Sequence, residues 1–98
     1  MKKLEEFVKA RNWEKYHTPK NLAISIAIET AELMEHFQWS DSNFEDIKKD
    51  EHKKKEIEDE IADVMIYCLL FMKYMGNDIE EILLRKIEKN EKKYVIYP

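Results

Sequence analysis

The chain has 98 residues, with 17 Lys and Arg against 21 Asp and Glu, which gives a formal net charge of −4. This length predicts one domain spanning residues 1–98. The acidic balance argues against a protein that coats a nucleic-acid polymer, and the single cysteine excludes an intramolecular disulfide. The sequence has no apolar run of the roughly 18 residues that cross a bilayer and no signal-peptide core. We therefore expect a cytoplasmic protein without a membrane partner.

Turn-forming residues are rare, because glycine and proline together number three, so the segments between them favour helix. We predict four main helices and an extended or irregular tail, at residues 2–12, 19–38, 44–75, 79–92 and 94–98. A break in the third helix near Asp50 is left open. Short connections between long helices predict an all-α antiparallel bundle of four to five helices.

The helix boundaries carry recognisable capping signals. Thr18 followed by Pro19 predicts a helix N-terminus, and the polar cluster at residues 40–43 predicts its end. Gly76 fits the position just after a helix C-terminus. Asp78, with Glu81 three residues later, predicts a capping box for the last helix.

The second helix carries a narrow acidic strip on a mostly apolar surface. With 100° per residue, apolar side chains cover about two-thirds of its circumference. Glu29 and Glu32 lie side by side in the remaining sector, since residues three apart are neighbours on a helix.

The third helix repeats this arrangement, with Glu56, Glu60, Asp63 and Tyr67 on one strip. No charge occurs from residue 64 to 72. Apolar arcs this wide, in a chain too short to bury them alone, predict that homo-oligomerisation completes the core. We expect the methionines of these helices to fill the core or a subunit interface, and Cys68 to be inert core.

The two strips lack local counter-charges, because residues 21–47 and 56–72 contain no Lys or Arg. Four carboxylates in a partly dry site repel one another. They therefore protonate, bind a metal ion, or pair with basic residues of the last helix such as Arg85, Lys86 and Lys89. Hard oxygen donors favour Mg²⁺ or Mn²⁺, whereas a di-iron site would require a Glu-x-x-His motif on each of two helices, and neither acidic strip has one.

The two acidic pairs, Glu29-x-x-Glu32 and Glu60-x-x-Asp63, resemble the E-x-x-E…E-x-x-D signature of the MazG-like all-α nucleoside triphosphate pyrophosphohydrolases. The dCTP pyrophosphatase branch is the most similar. The similar segments are RNWEKYH at 11–17, PKNL at 19–22, ETAELMEHFQW at 29–39, EIADVMIY at 60–67 and KIEKNEKKY at 86–94.

This resemblance implies a MazG-like bundle that works as a homodimer or homotetramer. It implies Mg²⁺-dependent cleavage between the α- and β-phosphates, which yields a nucleoside monophosphate and pyrophosphate. The four acids Glu29, Glu32, Glu60 and Asp63 would bind Mg²⁺, with Mn²⁺ as a substitute, and Glu29 or Glu32 would also orient the attacking water as catalytic residues. The expected substrates are pyrimidine deoxynucleotides such as dCTP, removed from the nucleotide pool.

The resemblance also implies a set of nucleotide-binding residues. Trp13 and Trp39 would form walls around the base, although core packing is the alternative for each tryptophan. His17 would contact the base or only cap a helical turn, and Tyr67 would contact the sugar or support a metal ligand. The last helix would supply phosphate or sugar contacts from Lys86, Asn90, Lys93 and Tyr94, whose alternative is a solvated face.

Two other functions stay open at this point. One is a phosphoribosyl-ATP pyrophosphohydrolase, which the tryptophan-bearing segments fit less well. The other is a non-catalytic helical oligomerisation or partner-binding module, in which the acidic strips would be salt-bridged. The chain also reads Lys-Lys-Tyr-Val at residues 92–95 where the dCTP branch would have Arg-Tyr-Pro, which leaves the substrate preference in doubt.

Overall fold

A computed structural model describes residues 2–94, and every regular element within them is helical. There are five α-helices, namely α1 (Lys2–Ala10), α2 (Pro19–Glu35), α3 (Phe44–Lys49), α4 (Glu51–Tyr74) and α5 (Ile79–Lys93), and a 3₁₀ helix at Trp13–Tyr16. The predicted all-α class is confirmed. None of the helices in the described range is suited in length and hydropathy to crossing a membrane. Of the predicted tail, residues 95–98 lie outside the described residues.

The predicted capping residues at the start of α2, the end of α4 and the start of α5 each have a clear physical basis. The Thr18 hydroxyl accepts a hydrogen bond from the Asn21 amide at 3.0 Å, which satisfies one of the free donors at the start of α2. Gly76 follows α4 with φ of 81°, a left-handed conformation that glycine adopts without steric cost. Asp78 caps α5 through the Glu80 amide at 3.1 Å.

The third predicted helix is two helices that meet at Asp50. This residue has φ −102° and ψ 94°, which interrupts the helical path, and its carboxylate accepts from the Lys53 amide. Asp50 therefore ends α3 and caps α4. Asn43 caps α3 in the same manner through the Asp46 amide at 2.9 Å.

The first two helices are shorter than predicted. Beyond α1, Asn12 adopts a left-handed conformation with φ of 52°, and the 3₁₀ helix starts at the next residue. At the end of α2, the amides of His36, Phe37 and Gln38 bond to carbonyls three residues earlier. These tighter bonds replace the last α-helical turn.

The main packing of the molecule is between α2 and α4. Leu22 of α2, Leu70 of α4 and Val8 of α1 form the buried core, each 2–3% exposed. Leu22 meets Leu70 near the C-terminal end of α4, while Glu29 lies near Glu60 and Asp63 around its middle. The two helices are therefore antiparallel, as predicted, and they bring the two acidic strips to one place.

A large part of the apolar surface is exposed in the single chain. Among the described residues, the buried hydrophobic side chains are Val8, Leu22, Ile57 and Leu70. By contrast, Ile28 on α2, Met65 on α4 and Leu83 on α5 are each more than half exposed. The radius of gyration is 16.8 Å, against about 13 Å for a compact domain of this size.

The apolar sides of the central helices are thus not fully buried within one chain, as expected for arcs that a chain of this length cannot cover alone. Only one side of each helix meets its neighbour in a two-helix packing, so the other apolar sides stay open. Met34, Met65 and Met75 are exposed and Cys68 is only partly buried, so these residues do not fill a core within one chain.

Candidate metal centre and adjoining cavity

Three of the four predicted metal ligands converge where α2 and α4 pack. Carboxylate oxygens of Glu29, Glu60 and Asp63 all lie within 4.8 Å of one another. One helical turn separates Glu60 from Asp63, so both point from α4 toward α2. This arrangement allows one cation to contact carboxylates from two helices.

The fourth predicted ligand, Glu32, is not one of these three mutually close carboxylates, but it lies next to Glu29 and Glu60, and its charge adds to the effect of partial burial in raising the pKa of both. It lines an open cleft of about 550 Å³ together with Glu60, His36 and three further acids, Glu35, Glu56 and Asp59. The sequence did not single out Glu35 and Asp59. Glu35 follows Glu32 by three residues and Asp59 follows Glu56 by three, and this helical spacing could have predicted that they lie close together.

Two carboxylate oxygens of the group are buried without a partner. Oε2 of Glu29 and Oε2 of Glu60 have no hydrogen-bond partner among residues 2–94. A buried acceptor without a donor loses the solvation that water would provide. These two atoms therefore mark a place that favours a bound cation or a proton.

The electrostatics of the group point the same way. Partial burial, followed by the negative charges of Glu32 and Asp63, raises the pKa of the Glu29 carboxyl. Partial burial and the charge of Glu32 likewise raise the pKa of Glu60, while His36 opposes that shift. Full ionisation of all the carboxylates in this group is therefore unfavourable unless a positive charge lies close to them.

Basic residues of the last helix do not supply that charge within one chain. Among residues 2–94, ion pairs join Lys48 to Glu45 and Lys73 to Glu5, and Nε2 of His52 lies 2.8 Å from a carboxylate oxygen of Glu56. The alternative in which Arg85, Lys86 or Lys89 neutralises the strips is thus not realised inside the described chain. The hard oxygen donors and the two unpartnered oxygens fit a divalent cation such as Mg²⁺.

An aromatic cavity adjoins the acidic group. It has a volume of about 220 Å³, and Trp13, His17, Tyr67 and Asp63 all line it. A second cavity of about 360 Å³ is lined by the same Trp13, His17 and Tyr67. Since Asp63 belongs both to the acidic group and to the smaller cavity, the two sites are contiguous.

Packing at the end of α1 holds Trp13 in this wall. The rings of Phe7 and Trp13 meet edge to face with centroids 5.4 Å apart. The Arg11 guanidinium lies 3.8 Å from the centroid of the Phe7 ring. Such contacts restrict the aromatic side chains beyond what area burial alone provides.

The structure does not bring the other predicted nucleotide-binding residues to these cavities. Trp39 follows α2 and is 90% exposed. Four predicted residues of α5 also line neither the acidic cleft nor the two aromatic cavities; they are Lys86, Asn90, Lys93 and Tyr94.

One residue beside the aromatic cavities was missed. The hydroxyl of Tyr74 lies 3.0 Å from Nδ1 of His17. Tyr74 follows Tyr67 by seven residues, which puts both on the same side of α4. That spacing was the available signal.

Comparisons with known proteins identify relatives of this chain. The dCTP pyrophosphatase 1 of Mus musculus is 29% identical over 93 residues, which cover 94% of this chain and 55% of the mouse protein. The Homo sapiens protein of the same name is 30% identical over 90 residues, covering 91% of this chain and 53% of its own. The chain thus spans about half the length of these curated relatives.

A solved structure and a family profile extend the comparison. The crystal structure of a pyrophosphatase from Archaeoglobus fulgidus superposes with a TM-score of 0.83 at 52% identity. The match covers 95% of this chain and 86% of that one. The profile of the MazG-like family matches residues 24–97, which include both acidic pairs. The chain therefore belongs to the MazG-like family.

Proposed function

We propose that residues 1–98 act as one domain, a Mg²⁺-dependent nucleoside triphosphate pyrophosphohydrolase. It cleaves between the α- and β-phosphates and releases a nucleoside monophosphate and pyrophosphate. The observation that carries this proposal is the convergence of Glu29, Glu60 and Asp63 with two buried, unpartnered oxygens. The similar proteins support it, since they are a dCTP pyrophosphatase in two mammals and an archaeal pyrophosphatase.

The acidic residues have two proposed roles, which are to bind the metal ion and to activate the attacking water. Glu29, Glu60 and Asp63 hold Mg²⁺, for which Mn²⁺ can substitute, and Glu32 completes the set directly or through water. The bound ion supplies charge neutralisation for the polyphosphate and a Lewis acid. Glu32, outside the close group but in the adjoining cleft, orients the attacking water and accepts its proton. Glu29 is the second candidate for that role.

The aromatic cavity orients the nucleoside. Trp13 and Tyr67 offer ring faces for a base or sugar, and His17 offers a polar atom. Because Asp63 lines the same cavity, a nucleoside bound there has its phosphates directed toward the acidic group. Pyrimidine deoxynucleotides such as dCTP are the proposed substrates, taken from the cytoplasmic nucleotide pool.

A homodimer or homotetramer completes the core and the site. The exposed apolar sides of α2, α4 and α5 provide the surface that another copy would cover. Trp39 and the α5 residues contact the nucleotide only if another copy places them there, since they lie away from the cavities of their own chain. Oligomerisation thus gives these five residues a role that one chain does not.

The test is product release from a panel of ribo- and deoxynucleoside triphosphates, with Mg²⁺ or with EDTA. We expect Mg²⁺-dependent formation of monophosphate and pyrophosphate, highest for a pyrimidine deoxynucleotide. Glu32→Gln keeps the fold and loses at least about 100-fold in kcat, in the range of lost general-base catalysis. The matched control is Glu58→Gln, an exposed residue of α4 outside the cleft.

Other outcomes would redirect the assignment. Full activity of Glu32→Gln overturns the role of Glu32 and moves the water-orienting role to Glu29. Release of a nucleoside diphosphate and phosphate overturns the cleavage position. If no nucleoside triphosphate is hydrolysed, phosphoribosyl-ATP is the next substrate, and its failure would favour the binding-module alternative.

A further inference from the structure

His17 and Tyr74 form a hydrogen bond that joins two distant parts of the chain. The Tyr74 hydroxyl and Nδ1 of His17 are 3.0 Å apart, between residues separated by 57 positions. Their rings also meet at an interplanar angle of 66° with centroids 5.7 Å apart. The bond therefore fixes the His17 ring, just before α2, to the C-terminal end of α4.

The chemistry of the two groups sets the direction of this bond. A phenol hydroxyl is a good donor and a neutral imidazole nitrogen is a good acceptor. Partial burial and the negative charge of Glu14 raise the pKa of the Tyr74 phenol, so the hydroxyl keeps its proton at neutral pH. The 3.0 Å contact fits either direction, and these properties favour the one in which Tyr74 donates and Nδ1 of His17 accepts.

This direction determines what His17 can offer a ligand. When Nδ1 of a neutral imidazole accepts, the proton resides on Nε2. His17 lines both aromatic cavities, next to Trp13 and Tyr67. With Nδ1 occupied by Tyr74, the remaining polar group of the ring is an Nε2–H donor.

We propose that Tyr74 is a positioning residue that holds neutral His17 in the Nε2–H tautomer, and that this N–H selects a hydrogen-bond acceptor on the base. A carbonyl oxygen or an unprotonated ring nitrogen at the Watson–Crick edge of a pyrimidine satisfies that requirement. The nature of the ligand rests on the proposed function, whereas the tautomer and its cause do not.

The tautomer can be measured on the protein without any substrate. Protonated and unprotonated imidazole nitrogens have well-separated ¹⁵N chemical shifts, so long-range ¹H–¹⁵N correlation spectra report the state of His17. In the wild type at neutral to mildly alkaline pH, we expect Nε2 to be protonated and Nδ1 unprotonated. A proton on Nδ1 instead would overturn the proposal, and this result requires no variant to fold.

Tyr74→Phe keeps the ring contact and removes only the donor. We expect the His17 shifts to move toward the averaged values of a free imidazole. Tyr94→Phe is the matched control, because Tyr94 lines neither aromatic cavity, and it should leave the His17 pattern unchanged. Identical His17 spectra in Tyr74→Phe and the wild type would show that Tyr74 does not set the tautomer of His17.

Kinetics then separate base recognition from phosphate recognition. We expect Tyr74→Phe to raise KM for dCTP roughly two- to tenfold, the range of one hydrogen bond, with kcat little changed. Inhibition by inorganic tripolyphosphate with Mg²⁺, which has no base, should be unchanged. An equal weakening of tripolyphosphate inhibition would contradict the base assignment and indicate that His17 contacts phosphate.

A double-mutant cycle tests whether Tyr74 acts through His17. A glutamine at position 17 carries its own N–H donor and does not depend on a tautomer. Tyr74→Phe should therefore have no further effect on KM in the His17→Gln background. Additive effects would assign Tyr74 an independent role. If no nucleotide is hydrolysed but the spectra behave as expected, the proposed function fails while the tautomer assignment stands.

Discussion

Glu29 of α2 and Glu60 of α4 bring carboxylate oxygens within 4.8 Å of each other, and each also buries an oxygen without a hydrogen-bond partner among residues 2–94. The two residues belong to different helices, so the main packing interface of the molecule carries an electrostatic penalty. The same interface holds α2 and α4 together. Cation binding should therefore strengthen the fold as well as prepare the site.

The first prediction concerns metal binding and stability. Binding of Mg²⁺ at the proposed site would use carboxylates that the unfolded chain does not assemble, so it would stabilise the folded chain by mass action, by about 2.7 kcal/mol at 100 times Kd. We expect Tm to rise with Mg²⁺ and to return to its starting value with EDTA, as measured by thermal unfolding. Glu29→Gln should abolish this rise, and Glu58→Gln, which keeps the site, should preserve it. If the Tm of the wild type does not change on addition of Mg²⁺, that result would contradict the proposed metal site.

The second prediction concerns pH without metal. The pKa values of Glu29 and Glu60 are raised above the ordinary value of 4.5 in the folded state. The folded chain then binds more protons than the unfolded chain between the two pKa values, so its stability falls as pH rises through the folded-state pKa. In EDTA we expect Tm to increase from about pH 8 to about pH 5 through these groups.

Two comparisons isolate this effect from other titrations. Glu29→Gln should flatten the pH dependence above the ordinary glutamate pKa, while Glu58→Gln should follow the wild type. Saturating Mg²⁺ should also reverse the trend, because metal binding requires the ionised carboxylates. A metal-free Tm that falls on acidification across the whole range would argue against the raised pKa values.

The third prediction concerns the aromatic wall. Stacking of a base on an aromatic side chain is worth about 1–3 kcal/mol. Trp13→Ala should therefore raise KM by roughly 5- to 100-fold with little change in kcat, measured by steady-state kinetics on dCTP. Phe44→Ala removes an 81% exposed aromatic ring outside the cavities and serves as the control. An unchanged KM in Trp13→Ala would assign Trp13 a structural role only.

The fourth prediction concerns assembly. Leu83 is 55% exposed on α5, and Lys92, nine residues later, lies on the opposite side of that helix. We expect the wild type to run as a dimer or tetramer in size-exclusion chromatography with light scattering. Leu83→Glu should dissociate it and lower Tm, whereas Lys92→Glu should not. A wild type that stays monomeric at high concentration would contradict the proposed oligomer.

Local signals made the helices predictable. Thr18, Gly76 and Asp78 act through hydrogen bonds and backbone conformations that depend on a few neighbouring residues, so the sequence contains what determines them. The acidic strips were also predictable, since helical spacing alone puts each pair on one side. Antiparallel packing of two helices then brings the pairs together.

Features that depend on contacts between residues far apart in the sequence were harder to predict. The His17–Tyr74 bond joins positions 57 residues apart, and no local pattern specifies which tyrosine of α4 meets that ring. An apolar arc shows that a surface needs a partner, but the sequence does not specify which surface covers it. The placement of α5, which packs little against the other helices, depends on the same missing information.

The acidic residues of the proposed site occupy positions at which apolar residues would strengthen the packing of α2 against α4. Leu22, Ser25, Glu29, Glu32 and His36 follow one another at alternating steps of three and four residues, as do Glu56, Glu60, Asp63, Tyr67, Leu70 and Tyr74. In a coiled coil these heptad positions would carry leucine. Leucines in place of Glu29 and Glu60 would extend the apolar seam, and we expect a higher urea midpoint in that variant. Carboxylates thus occupy heptad positions at which leucines would stabilise the packing of the two central helices. This is a trade-off between stability and the proposed activity.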